Sequence, residues 1–591
     1  MRWLDALYVK ACRRAGRFKV LGRAKFGGDE LRENLELAGL EVQPEEVIAL
    51  SLLALLSSAL LAAAAAVACL TLGWSTILLA FFTSTPFLAF ILAGWYPSWR
   101  AERERVRGLG EVPILISYMS MSMKMAPNLE RSAIFAAEHV EGPLGRSLRD
   151  ALGRANLREL ADVREALEQF ARKWGRWCKG LRRSLHLIEG SASERSEAAR
   201  LHLLDKAVEA SFEGVWEQMQ DFACGLQLST SVVYSMGVLL PLALLATLPV
   251  LATISVRVGA LEVAAIYCVA LPAAVYLLSR RVLSRRPIAF PVSPVPVETD
   301  RARAGLLASA LAAAFALAGF LSGAGDVRAL SCVWGASMGI AAYLHLTCAK
   351  AYKWRTRVER MEAEFCDSLV QLGNRMSEGR PAEEAFEGVT SLMHGAEISR
   401  LFSRALANVK FGGMGLRGAL FDEEHGALRE VRSRTIEGVM RMLVDVIERS
   451  NRVAGEAALR MAEHLKALRR LELDVRRSLG EVAASMRSVA LFFAPLVASV
   501  TARLQLALSS KASSLPFLSS GPSLSPSSFL LALGFYVMLL TMILTSCAVE
   551  IEAGDDALAK RVAIARALPI AMGVFTVGAF VGGQFVSFLL G

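Results

Sequence analysis

The residues best suited to chemistry in this chain are basic. Arg172, Lys173, Arg176, Lys179, Arg182 and Arg183 crowd one short stretch, interleaved with Trp174 and Trp177. Arg429, Arg432, Arg434 and Arg441 form a second, sparser group. Cationic side chains beside indole rings can lie on anionic headgroups or hold an acidic protein surface; a solvated face is the plain alternative. Nucleic acid is disfavoured, because Glu and Asp are mixed among the basic residues of both regions.

Constellations that could break or make bonds are weak by comparison. Gly413, Gly415 and Gly418 spell GxGxxG, but that pattern holds a dinucleotide only between a strand and a helix of a βαβ unit. Here it falls among helical patterns and reads as a connecting turn. Asp422, Glu423 and Glu424 read as a solvated loop or helix start. His139-Val140-Glu141 lacks the downstream PCxxC of a zinc deaminase, and no two of the seven histidines stand at metal-ligand spacing. The nine cysteines form no CxxC pair and read as small apolar residues in reduced surroundings. No GxxxxGK[ST] phosphate loop occurs. The expectation is a protein that is not an enzyme, with no metal and no cofactor.

The elements that position the basic residues are dominated by apolar sequence. Of 591 residues 54% are hydrophobic, and the mean hydropathy is +0.41. The excess is segregated into long uncharged runs, as a bilayer about 30 Å thick demands. Nine spans are expected, at 48–72, 74–95, 230–254, 258–278, 304–321, 329–349, 486–508, 529–549 and 567–589. The polar, basic stretch before the first apolar run argues against a cleavable signal.

The net charge is +10, and its distribution sets an orientation, since cytoplasmic loops collect Lys and Arg. Arg13, Arg14, Arg17, Lys19, Arg23 and Lys25 precede the first span, Arg280, Arg281, Arg285 and Arg286 follow the fourth, and Lys560 and Arg561 precede the ninth. The alternate loops show only Arg257, Arg328 and Lys511. A cell-membrane protein with a cytosolic N-terminus and an external C-terminus is expected.

Two long hydrophilic stretches fall on the cytosolic side by this count and read as all-α. Val112, Ile116, Met119 and Met123 recur at helical spacing before Pro127 breaks the run and Asn128 can cap the next helix. Phe365, Leu369, Leu372 and Met376 do the same, and Pro381 opens a helix carrying Ala385, Phe386, Val389 and Met393. The two stretches read as copies. Ile116 and Leu369 are 253 positions apart, as are Val112 and Phe365, Met119 and Leu372, Met123 and Met376, and Glu130 and Glu383. VLLPL, ending at Leu242, and FFAPL, ending at Leu496, are 254 apart. A repeat unit of four spans is even in number, so the second copy enters the membrane in the same sense as the first.

The expected organisation is an all-α integral membrane protein, a tandem repeat of a transmembrane hairpin plus a cytosolic helical bundle. Residues 1–47 form an amphipathic lead-in, 48–95 the first hairpin, 96–229 the first helical domain and 230–279 the third and fourth spans. A linker at 280–303 precedes the second hairpin at 304–349 and the second helical domain at 350–487. Residues 488–549 hold the seventh and eighth spans with a Ser/Pro-rich outer loop, and 550–591 the ninth. Charges are nearly missing from mid-span positions, where a transporter marks its pathway; Arg503 and Glu550 fall near span ends. A pseudo-symmetric transporter or exporter permease is therefore the second reading.

The unit resembles the type II secretion system F domain. The resemblance is carried by an amphipathic helix, a break, and a helix opening with small and acidic residues, APNLERS at 126–132 and GRPAEEA at 379–385, followed by a return through a proline-containing apolar helix. The segment LRENLELAGLEVQPEEV at 31–47 is similar to the lead-in of pilus- and archaellum-assembly members. The chain looks most like the archaeal membrane platform proteins that carry two such domains. The resemblance implies a platform for type IV filament assembly or type II-like secretion. Its implied partners are a cytosolic hexameric secretion ATPase, pilin-like single-span subunits and the lipid bilayer, with a homo-oligomer possible and no nucleic acid. Both basic groups are then candidate docking surfaces for the ATPase.

Overall fold

The computed structural model describes residues 2–17, 28–71, 76–140, 142–157, 162–244, 260–283, 286, 301–321, 325–431, 433–448, 450–512, 526–554 and 556–590. Among these there are helices and turns and no strand. Eight helices are long and apolar enough to cross a membrane, so the chain is all-α and of the multi-pass membrane type. The eight match the expected spans except the second, at 74–95. That segment begins α4, and residues 72–75 before it lie outside the described residues.

The chain opens with α1 (Arg2–Ala15) and α2 (Gly28–Ala38), then α3 (Pro44–Thr71) and α4 (Thr76–Met125) pair as a hairpin. Pro44 stands at the first turn of α3 with Glu45 and Glu46, where a missing N–H and negative charge are both favourable. Four shorter helices follow: α5 (Leu129–His139), α6 (Pro143–Asn156), α7 (Val163–Gly175) and α8 (Lys179–Ser193). Asn128 does cap α5, accepting the Arg131 N–H at 3.0 Å. Helix α9 (Glu197–Tyr234) is capped by Ser196 and ends in a π-helical turn, Ser235–Leu239.

After α10 (Ala260–Ala265) and a π turn at Ile266–Ala270 comes α11 (Leu271–Leu283), then the hairpin of α12 (Arg301–Leu321) and α13 (Gly325–Ser377). Gly335 and Gly339 let these two helices touch closely: a Cβ at 335 would lie 2.7 Å from the Ala312 carbonyl. Without a hydrophobic drive between helices in lipid, such small-residue contact is what holds them. Short helices again follow: α14 (Ala382–Leu392), α15 (Ser399–Lys410), α16 (Leu416–Phe421), a 3-10 turn at Ala427–Glu430, and α17 (Arg434–Ile447). Gly379, at φ +87°, makes the turn into α14 that Pro381 then caps. Helix α18 (Asn451–Ser488) runs into a π turn at Val489–Phe493, and α19 (Ala494–Ala512), α20 (Pro526–Ala553) and α21 (Ala557–Leu590) complete the chain.

The four expected borders between membrane and helical stretch, at 95/96, 229/230, 349/350 and 487/488, all fall inside unbroken helices. Helix α13 alone is 53 residues long, roughly 80 Å at 1.5 Å per residue. Each hydrophilic stretch thus continues the helices of its spans. The first packs into one core with the membrane helices, around Ile116, Leu148, Phe170 and Trp174 and onward to Val275 and Leu540. The second has its own core around Phe365, Phe386, Phe402 and Met440, into which Met121 of α4 inserts.

A carboxylate, buried in the first stretch and half-buried in the second, holds a backbone amide in each. Glu111 of α4, 6% exposed, accepts the Leu144 N–H at 3.2 Å at the start of α6. Glu364 of α13 accepts the Ile398 N–H at 3.0 Å just before α15. A Cβ at Gly142 would overlap the Glu111 carboxylate, which would have to move off the Leu144 amide to make room.

Candidate functional site

The first basic group sits at the corner between α7 and α8. Apolar residues Leu167, Phe170, Ala171 and Trp174 face the core of α7, and that spacing leaves Arg172, Lys173 and Arg176 on the other side. Cations at the end of α7 also complement its dipole. Arg172 pairs with Glu168 at 2.5 Å. Arg176 reaches Glu33 of α2 at 3.1 Å and lies 5.6 Å from the Trp177 ring centroid, with Arg105 at 5.5 Å from the same ring. Lys179 opens α8, Arg182 follows on its exposed side, and Arg183 lies 3.9 Å from Glu213 of α9. Lys173 and Arg176, with Arg154, form one wall of a groove whose other wall is Glu33 and Glu36 of α2.

One expectation needs correcting. Trp174 is not a surface indole available to headgroups: it is 1% exposed, its Nε1 donates to Ser147 Oγ at 3.0 Å, and its ring rests on Gly108, where a Cβ would come within 2.5 Å. Trp177 is only half-buried and stays at the surface.

The second group occupies the corner before α17. Arg429 donates to the Glu424 carbonyl at 3.1 Å, Arg434 opens α17 beside its cap Ser433, and Arg441 pairs with Glu437 at 3.0 Å over the Phe421 ring. Arg432 lies outside the described residues. Nearby, Asp422 accepts the Glu424 N–H at 2.7 Å, a turn acceptor rather than an acid–base group. Gly413, at φ +60°, makes the turn between α15 and α16. His139 stacks on Phe135, with Nδ1 2.9 Å from the Phe135 carbonyl. Among the described residues no His, Cys, Asp and Glu cluster is placed to hold a metal.

A third arrangement, which sequence reasoning missed, lies where the apolar helices end. Glu550, near the end of α20 and 7% exposed, pairs with Arg280 of α11 at 3.3 Å and with Lys560 of α21. Its own carbonyl accepts from Arg286, whose guanidinium is pulled down to about 10 by burial, a shift that Glu550 opposes. Arg487 of α18 pairs with Glu552, and Arg355 of α13 with Asp556. These contacts join helices from both halves of the chain at one level. The available signal was compositional: Glu550, Glu552 and Asp556 are acids at a boundary where Arg and Lys are otherwise the rule. The opposite end has its own tie, Arg503 Nε donating to the Ala579 carbonyl at 2.8 Å and Nη1 facing Asp326 at 3.4 Å.

Helix α20 is central to this assembly, with 67% of its apolar window buried. Its Tyr536 hydroxyl donates to the Gly237 carbonyl, inside the π turn after α9. Its Thr541 hydroxyl donates to the Ala490 carbonyl at 3.3 Å, inside the π turn after α18. A π turn disrupts the regular ladder of backbone bonds, and α20 supplies a hydroxyl to each. The arrangement is a set of charged surfaces and of ties between helices. No family model, curated protein or solved structure matches this chain.

Proposed function

We propose that this chain is the membrane platform of a type IV filament-assembly or type II-like secretion machine, built from two tandem units of the F-domain kind. In this reading both helical stretches face the cytosol, a separate hexameric ATPase docks on them, and the membrane helices act on pilin-like single-span subunits. One observation supports it: several helix lengths, turns and hydrogen bonds of the two halves stand at the same offset as the matched sequence positions. Helices α9 and α18 are each 38 residues, each continues directly into a five-residue π turn, and both features stand 254 positions apart. Helices α5 and α14 are each 11 residues and 253 apart. The carboxylates Glu111 and Glu364 are likewise 253 apart, and the amides they hold, Leu144 and Ile398, are 254 apart.

Force applied to a helical stretch would reach the bilayer along continuous helices, since α4, α9, α13 and α18 each run across the expected border. The twin basic corners are the surfaces on which an acidic face of the ATPase would bind. Charge reversal at Arg172, Lys173 and Arg176 together with Arg429, Arg432 and Arg434 is expected to abolish ATPase co-purification while membrane insertion stays intact. Normal co-purification of the reversed protein would remove the basic corners from the docking role. Solute flux in proteoliposomes would instead favour the permease reading.

A further inference from the structure

Helix α1 is placed unlike any other helix here. Its Tyr8 hydroxyl donates to the Ala93 carbonyl at 2.8 Å, near the end of the apolar part of α4. At the residue just past its end, a Cβ on Gly16 would lie 2.9 Å from Glu46 Cγ, in the first turn of α3. Ala93 and Glu46 mark the same border, where α3 begins its apolar run and α4 finishes its own. Held at both, α1 packs against the end of the hairpin at which the apolar runs of α3 and α4 meet polar sequence. Tyr8, Tyr96 and Trp99 gather at this level, with Tyr8 and Tyr96 rings 4.3 Å apart, the depth at which amphipathic aromatic rings settle.

The two faces of α1 differ sharply. Val9 and Cys12 pack into a small core with Leu35, Val47 and Ala101. Asp5, the one acid of the helix, also turns inward, accepting the Tyr96 hydroxyl at 2.8 Å and pairing with Arg100 at 3.3 Å. What remains outside is Lys10, Arg13, Arg14 and, just past the helix end, Arg17, all exposed, with Leu7 50% exposed among them. Arg13 reaches Glu41 at 3.4 Å, but that carboxylate is itself 91% exposed.

We propose that this face of α1 binds anionic phospholipid headgroups. Four cations with their acid turned away, held at headgroup depth around an apolar side chain that can enter the headgroup layer, complement a negatively charged leaflet. An acidic protein partner would have to be flat and seated at the bilayer surface to reach the same face. The inference needs only the multi-pass fold and is independent of the platform reading.

The test uses the full chain in lipid nanodiscs of phosphatidylcholine alone or with phosphatidylglycerol added, read by amide hydrogen exchange. In the anionic discs α1 amides should exchange at least about fivefold more slowly than in neutral discs, as expected when ordering is coupled to binding. Helices α7 and α8 should not differ between the two. The Lys10→Gln, Arg13→Gln, Arg14→Gln, Arg17→Gln variant should lose the lipid dependence, and added salt should erode it in the unmodified chain. Equal α1 exchange in the two lipids for the unmodified chain overturns the proposal, and that comparison decides the matter even if the variant fails to insert.

Discussion

At the scale of single residues, Glu111 has the clearest physical consequence. Burial pushes its carboxyl up to about 7 from an ordinary 4.5, outweighing the stabilising bonds from the Leu144 and Gly145 amides. Between these two pH values the folded chain retains a proton that the unfolded chain has released. The stability contributed by this group therefore falls as pH rises from about 4.5 to 7 and is lowest above that. Glu111→Gln keeps an oxygen for the Leu144 N–H and removes the charge. It should flatten the pH dependence of thermal unfolding and stabilise the chain above pH 7 by up to about 3 kcal/mol; an unchanged slope would contradict this origin. Trp174 supplies a second test at this scale. Its truncation to Ala should destabilise by about 3–5 kcal/mol, as for a large core side chain, whereas Trp177→Ala should have a clearly smaller effect on the melting temperature. Comparable losses would put Trp177 in the core as well. In sequence both tryptophans stood among arginines, and an indole at helical spacing suits a core or an interface equally; the Gly108 contact that decides for Trp174 comes from a different helix.

At the scale of helices, the deciding feature is continuity. Apolar runs made eight of the nine expected spans recoverable as long apolar helices; Pro127 and Asn128 marked the break after α4 correctly. Hydropathy records where apolar side chains stop, but not where backbone hydrogen bonding stops. Helix α13 thus passes Lys350 without interruption, and the sequence border there has no structural counterpart. The π turns were equally hidden, since SMGVL and VALFF share no residue at any matching position. The ties between helices depend on residues far apart in the chain. The Glu550 carboxylate pairs with Arg280 and Lys560 and its carbonyl accepts from buried Arg286, so Glu550→Gln would remove the negative charge at the centre of the cluster. A loss of about 3–5 kcal/mol is expected, visible as a lower melting temperature of the purified protein in detergent. A melting temperature equal to that of the unmodified chain would show the cluster to be dispensable.

For the molecule as a whole, the proposal depends on two four-span units written in the same direction. The sequence suggests this through matched spacings, and the lengths of α5 and α14 and of α9 and α18, two π turns and the carboxylates Glu111 and Glu364 stand at the same offsets. The candidate docking surfaces were legible as charge but not as geometry: α2 partly covers the first through Glu33, which no spacing in the sequence indicated. The most direct test is the sidedness of the two helical stretches. Single cysteines at exposed Ser193 and Ser403, placed in a chain freed of its native cysteines, can be probed with a membrane-impermeant thiol reagent. The account predicts that both escape labelling in intact cells and both react in inverted vesicles; reaction of one from outside the cell and the other only from within would contradict it.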